Sequence, residues 1–308
     1  MASLRDYSVF GLCVRSEIIL DELRPYGSEV EPDVMIRFGK IDAMGPPGYS
    51  HSEAGTLLTI PCIARYLIHG GTEIVIDPDP GAAERTVRLY LLGSAFGALL
   101  HQCGLMPLHA NAIEIDGRAV AFCGHSGSGK STIAAWFLDR GHHILADDVC
   151  VVGFDETGTA LAYPGIPRLR LWREALEASG RAADGYERSF DALDKYDVPT
   201  TTHKPAEPLP LQGIYLLRRA PESAAEGSIV QLTGVDAVEA LVANTYRGGY
   251  LKVIGQSGQH LMACVRIAKA VPVFRADRIW GFDAFESQAT RLAKHAYRNG
   301  VDLSDLDI

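Results

Sequence analysis

Short apolar or β-branched runs separated by Gly, Pro and Asp turns occupy the first part of the chain. They are Tyr7–Val14, Asp33–Phe38, Leu57–Ile60, Ala64–Ile68 and Glu73–Ile76. Such runs read as strands, so residues 1–80 form a strand-rich N-terminal region that stops at Asp77-Pro-Asp-Pro80. The period then changes. Val87, Leu91, Ala95 and Leu99 recur at helical spacing and predict a long helix over Ala82–Cys103. The stretch Leu89–Ile113 carries no Asp, Glu, Lys or Arg, but Gly93, Gly97, His101, Gln102, Gly104, Pro107, His109 and Asn111 interrupt it. This predicts a buried helix ending near Gly104 and followed by a strand, with no membrane span.

Pro107–Ile115 and Arg118–Cys123 flank Asp116-Gly117, the dipeptide of a two-residue type I′ hairpin turn. In that register Ala112 faces Ala121, and His109 comes to lie beside Gly124. A helix follows over Thr132–Arg140, with Ile133, Trp136, Phe137 and Leu138 near helical spacing and Gly141 at its C-terminal cap. His142–Val152 then reads as a buried strand beside 118–123. A right-handed crossover makes those two strands parallel and brings Asp147-Asp148 to the edge that carries the glycines. Arg181–Pro210 is polar and reads as an exposed, mobile excursion. Leu211–Arg218 resumes a strand, and Val235–Thr245, Gln259–Lys269 and Phe285–Arg298 read as helices. The organisation expected is a strand-rich region, 1–80, and an α/β core with a helical C-terminal part, 81–308.

Composition narrows the function classes. The 308 residues are 47% hydrophobic and 22% charged, enough for a sizeable core. A net charge of −9 argues against nucleic acid or an anionic membrane as partner. Cys13, Cys62, Cys103, Cys123, Cys150 and Cys264 are widely spaced, as expected for reduced thiols in a cytoplasmic protein without a zinc site. Arg5, Asp6, Arg15, Glu17, Asp21 and Glu22 interrupt any apolar signal segment.

Residues 124–131, Gly-His-Ser-Gly-Ser-Gly-Lys-Ser, fit G-x-x-x-x-G-K-[ST] between a predicted strand and a predicted helix. In that context the glycines turn successive N–H groups toward phosphate oxygens, with Gly124, Ser126, Gly127, Ser128, Gly129 and Thr132 forming the cradle. Lys130 adds a positive charge, and the Ser131 hydroxyl is a ligand for Mg2+. Phosphoryl transfer further needs a proton acceptor and a metal carboxylate, roles open to Asp147 and Asp148. His109 is placed to assist. His125 reads as a passenger of the loop, and His142 and His143 as a solvated strand entry. Arg168 and Arg170, two apart in Pro164–Trp172, fall on one side of an extended segment and are candidates for a phosphate or a substrate carboxylate. Lys195, Lys204 and Arg247 are weaker ones.

Leu108-His109-Ala110, the loop 124–132 and Arg140–Asp148 together resemble the HPr kinase/phosphorylase family, and most of all its shorter HPr-kinase-like members, some of which phosphorylate lasso-peptide precursors. The resemblance implies an HPr kinase/PEP carboxykinase-like α/β fold with a mixed sheet. It also implies ATP and Mg2+ as cofactors, Asp147 as base toward a serine hydroxyl, His109 as an assistant and Asp148 at the metal or phosphate. Thr132 stands where HPr kinases carry Glu, and Tyr163–Arg168 stands roughly where they carry a Glu-Arg-Gly-Leu-Gly-type signature. Both departures point away from HPr as acceptor and from phosphorolysis. The function expected is therefore an ATP- and Mg2+-dependent serine kinase acting on a peptide or small protein, with a homo-oligomer compatible. A metabolite kinase and a non-catalytic nucleotide-binding regulator are the alternatives.

Overall fold

The computed structural model describes residues 4–27, 30–190, 193–200, 207–281 and 283–298. It is a mixed α/β protein that divides into two compact units: residues 1–107 with 245–263, and residues 108–244 with 264–308. The division after Pro107 lies beyond the boundary at 80 read from composition.

The first unit is built on a mixed sheet of β1 (Arg5–Val9), β2 (Leu12–Ser16), β3 (Arg24–Pro25), β4 (Val34–Phe38), β5 (Gly48–Ser52), β6 (Gly55–Ile60), β7 (Ala64–His69) and β8 (Glu73–Pro78). Tyr7–Val14 is a hairpin and not one strand, because Phe10 (φ 56°) and Gly11 (φ 78°) turn the chain between β1 and β2. Helix α1 (Glu84–Tyr90), a π-helical turn at Leu91–Ala95 and α2 (Phe96–Gln102) run on without a break. Their stripe of Val87, Leu91, Ala95 and Leu99 is buried, as its spacing predicts. The stripe also explains the unit boundary. Tyr66 on β7 donates to Val87 O (2.8 Å) and Tyr49 on β5 to Ser94 O (2.8 Å), which ties these helices to the sheet before them.

The second unit carries the glycine loop. β9 (Met106–Leu108) leads into β10 (Ala110–Ile115), which pairs with β11 (Arg118–Cys123) in the register set by the turn, Ala112 opposite Ala121. Asp116 (φ 49°) and Gly117 (φ 73°) both take the positive φ that a type I′ turn requires. α3 (Lys130–Leu138) follows the loop. The next strand, β12 (Ile144–Ala146), does not lie beside β11. It pairs antiparallel with β10, because the hairpin partner already fills that edge of β11 and a later strand fills the other. β12 nevertheless runs in the same direction as β11, so their C-terminal ends still share an edge. The predicted strand 142–152 is also broken at Asp147-Asp148. β13 (Cys150–Phe154) pairs instead with β14 (Ala160–Tyr163).

β15 (Arg168–Trp172) is followed by α4 (Arg173–Ala178), β16 (Glu187–Phe190) and β17 (Leu193–Pro199). β15, β17 and β16 form a separate three-stranded antiparallel sheet. The segment read as an exposed excursion thus contributes two strands of this sheet, and Tyr196 and Val198 alternate inward opposite Leu171 and Leu169. Residues 201–206, Lys204 among them, lie outside the described residues. β18 (Leu209–Arg219) runs parallel to β11, and then come β19 (Ser228–Leu232), α5 (Gly234–Ala243), α6 (Tyr250–Val253), α7 (Ser257–Ala270), β20 (Val273–Arg278) and α8 (Phe285–Arg298). β20 was not foreseen; it extends the sheet parallel to β18.

The core of this unit joins Ile133 and Phe137 of α3, Phe122, Tyr215 and Phe274 of the sheet, and Leu292 of α8. α8 is fastened by Glu286, which accepts from Trp136 Nε1 (2.8 Å) and pairs with Arg140 (2.6 Å). His142 is half-buried against Phe137 and bonded to Tyr297 (3.0 Å), so it is not a solvated entry. α3 ends in a Schellman motif: His142 N–H reaches Phe137 O, Gly141 N–H reaches Leu138 O, and Gly141 sits at φ 84°. Gly141→Ala meets open space but the wrong φ, and should cost roughly 1 kcal/mol, read as a lower urea midpoint at unchanged m-value. Among the described residues, no helix is long and apolar enough to cross a membrane.

Candidate active site

Residues 124–129 link the end of β11 to α3. Gly124 (φ 147°), Gly127 (φ 81°) and Gly129 (φ 82°) take conformations that L side chains resist, and a Ser128 N–H to His125 O bond (3.1 Å) closes the turn. The chain enters α3 through left-handed Gly129, which points the first N–H groups of a nine-residue helix into the loop. His125, Ser126 and Gly127 are exposed; Ser128, Gly129, Ser131 and Thr132 are half-buried. The Ser128 hydroxyl turns back toward Gly124, buried and without a partner.

Lys130 is 6% exposed. Its ammonium donates to Gly124 O (2.7 Å), His125 O (3.3 Å) and His109 Nε2 (3.1 Å). His109 Nδ1 lies 3.1 Å from the Asp148 carbonyl. A carbonyl only accepts and an ammonium only donates, so His109 is neutral with its proton on Nδ1. Burial and then the Lys130 charge lower its pKa, and burial also lowers that of Lys130. The hairpin register thus leads, through one lysine, to a link between His109 and the loop.

The acidic pair lies in a tight turn after β12. Asp148 sits at φ 64°, and Val149 N–H bonds Asp147 O (2.8 Å) across it. A left-handed Asp closing a three-residue turn is strained backbone of the kind found at functional sites. The turn separates the two carboxylates. Asp147 is 8% exposed; its Oδ2 accepts from Arg170 N–H (2.8 Å), and its buried Oδ1 has no partner. Burial, then the Asp148 charge, raises its pKa. Asp148 is half-buried, and desolvation acts to raise its pKa, but Lys195 (3.6 Å) and Arg170 (3.5 Å) flank its carboxylate and hold its pKa below the usual range. Two adjacent carboxyls are thereby driven in opposite directions.

Structural similarity to the Hpr(Ser) kinase/phosphatase from Coxiella burnetii spans 62% of this chain and 97% of that one, at 14% identity and a TM-score of 0.32. No family model and no curated protein match the chain. A likeness of that degree assigns no residue a role.

The structure brings Lys130, His109, Asp147, Asp148 and Arg170 into one connected cluster. Arg168 lies on the same side of β15 as Arg170, as alternation predicts, and pairs with Asp197 (3.7 Å). Arg247 belongs to the first unit. Sequence inspection passed over three participants. Asn111, fully buried on β10, accepts from Asp148 N–H (3.3 Å) and leaves its Nδ2 unpartnered. Asp197, opposite Arg170 on β17, binds both arginines. Arg278 lies under the glycine loop and donates to Ser128 O. Asn111 and Arg278 had a signal, a polar residue in the buried phase of an apolar strand, whereas Asp197 lies on the face opposite Tyr196 and Val198 and had none.

Proposed function

We propose that this chain is an ATP- and Mg2+-dependent kinase that moves the γ-phosphoryl group to a serine hydroxyl of a peptide or small protein, with a lasso-peptide precursor the leading acceptor in that class. The observation that carries this reading is the buried Lys130 ammonium. It is bonded at once to the glycine loop and, through His109, to a strained turn bearing one depressed and one raised carboxyl.

The residues fit such a nucleotide. Loop amides of residues 126–131 and Lys130 hold phosphate oxygens. Ser131 and Asp148 would hold Mg2+. Bound Mg2+ supplies neutralisation of the charge on the transferring group. Asp147 takes the serine proton on its unpartnered Oδ1 as the serine Oγ–P bond forms and the bond from γ-phosphorus to the bridging oxygen of ADP breaks. Its raised pKa suits a base working near neutrality. Arg168 and Arg170 lie on the acceptor side. The six cysteines are free thiols, which fits a reducing cytoplasm.

Incubation with ATP, Mg2+ and serine-containing precursor peptides should add one phosphate to a serine, read by mass spectrometry. ATP binding without transfer to any peptide, serine or sugar would instead favour a nucleotide-binding regulator.

A further inference from the structure

Arg278 ends β20 in an inward position. Phe274, Ala276 and Arg278 share the buried phase of that strand, at 4%, 0% and 6% exposure. One Nη donates to the carbonyl of Ser128. The same nitrogen is 2.8 Å from where a Cβ on Gly129 would stand, so only glycine leaves it room. Nε is buried without a partner. No carboxylate among the described residues offsets the charge: burial alone acts on the guanidinium and pulls its pKa down to about 10. A buried cation in that condition destabilises the fold unless an anion comes to it.

The peptide between Ser128 and Gly129 is trans, so its C=O and N–H point in opposite directions. With the carbonyl fixed on Arg278, the Gly129 N–H is turned away from the guanidinium, to the opposite side of the chain. We propose that Arg278 is a positioning residue of the phosphate cradle: it orients the Ser128–Gly129 peptide from behind, and phosphate anions in the loop balance its charge. This rests on the nucleotide site proposed above and not on the transfer step.

The test compares the full-length parent with Arg278→Met and Arg278→Lys. Binding of ATP and of inorganic triphosphate is titrated, and Tm is recorded with and without each. Arg278→Met should weaken both ligands about tenfold, the loss of one charge-assisted contact. Its Tm without ligand should equal or exceed the parent's, because the unpaired charge is gone, while the ATP-induced rise in Tm shrinks. Arg278→Lys keeps the charge without the fork and should fall between, and it carries the comparison if the methionine variant does not fold. Parent-like affinities for ATP and triphosphate in the variants, with or without a drop in ligand-free Tm, would overturn the role of Arg278 alone. A parent that binds neither ligand overturns the nucleotide site itself.

Discussion

Asp147→Asn should lower the rate of phosphoryl transfer by ~10²–10⁴-fold with ATP affinity nearly unchanged, and it should make the protein more stable above neutral pH. Asparagine is nearly isosteric, and its Oδ1 can still accept the Arg170 N–H that now reaches Asp147 Oδ2. What disappears is an acceptor for the serine proton. The stability effect follows from linkage. Burial and the Asp148 charge raise the folded pKa of Asp147 well above the ordinary aspartate value of about 3.8. A raised carboxyl stabilises the fold fully only below its unfolded pKa, and that contribution is lost as pH rises through the folded pKa. The variant carries no such loss. Its advantage over the parent should be absent near pH 3, grow on raising the pH, and level off on the order of 1–3 kcal/mol. Urea midpoints at several pH values measure it. An advantage that shrinks with rising pH would mean that the ionised form is the stabilised one, and Asp147 would lose its place as the base.

Gly124→Ala is expected to cost about 2–4 kcal/mol and to weaken ATP binding together with stability. Gly124 sits at φ 147°, and an added Cβ would stand 2.5 Å from Ser128 Oγ and 2.9 Å from Leu217 O. The serine can rotate away. The Leu217 carbonyl cannot, since it is backbone of β18, held parallel to β11 at the adjacent pair Cys123–Leu216. The loop must shift, and with it Gly124 O, the nearest anchor of Lys130. Gly127→Ala is the matched control: its φ is 81° but its surroundings are open, so strain acts there without a clash. A calorimetric Tm for each variant separates the two, and a Gly124→Ala protein as stable as Gly127→Ala would remove the packing explanation.

What could be read from the sequence was mostly local. Asp116-Gly117 dictates its own turn, and the turn fixes the hairpin register without reference to the rest of the fold. Gly141 and the bounds of α8, Phe285–Arg298, follow from short-range signals in the same way. Strand order does not. Whether β12 lies beside β11 depends on which sheet edges are already taken, and one of the strands that takes them, β18, comes some sixty residues later. The acidic pair was placed in a strand because its apolar approach continues into Val149–Val152, and nothing in those residues announces the left-handed turn at Asp148. Arg181–Pro210 misled through composition. Asp184, Glu187 and Arg188 are exposed as composition suggests, but Lys195 faces Asp148 and Asp197 faces Arg170.

Among the described residues, the sheet of β15, β17 and β16 shares no strand pairing with the main sheet of its unit, yet Arg168, Arg170, Lys195 and Asp197 all stand on it. The glycine loop, His109 and the acidic turn are fixed elsewhere, by a hairpin and a crossover. Substitutions along the small sheet can therefore change what is presented to the carboxylates without unzipping the scaffold that presents them. On the function proposed above, an alignment of related chains should show more substitution in residues 168–199 than in 109–148.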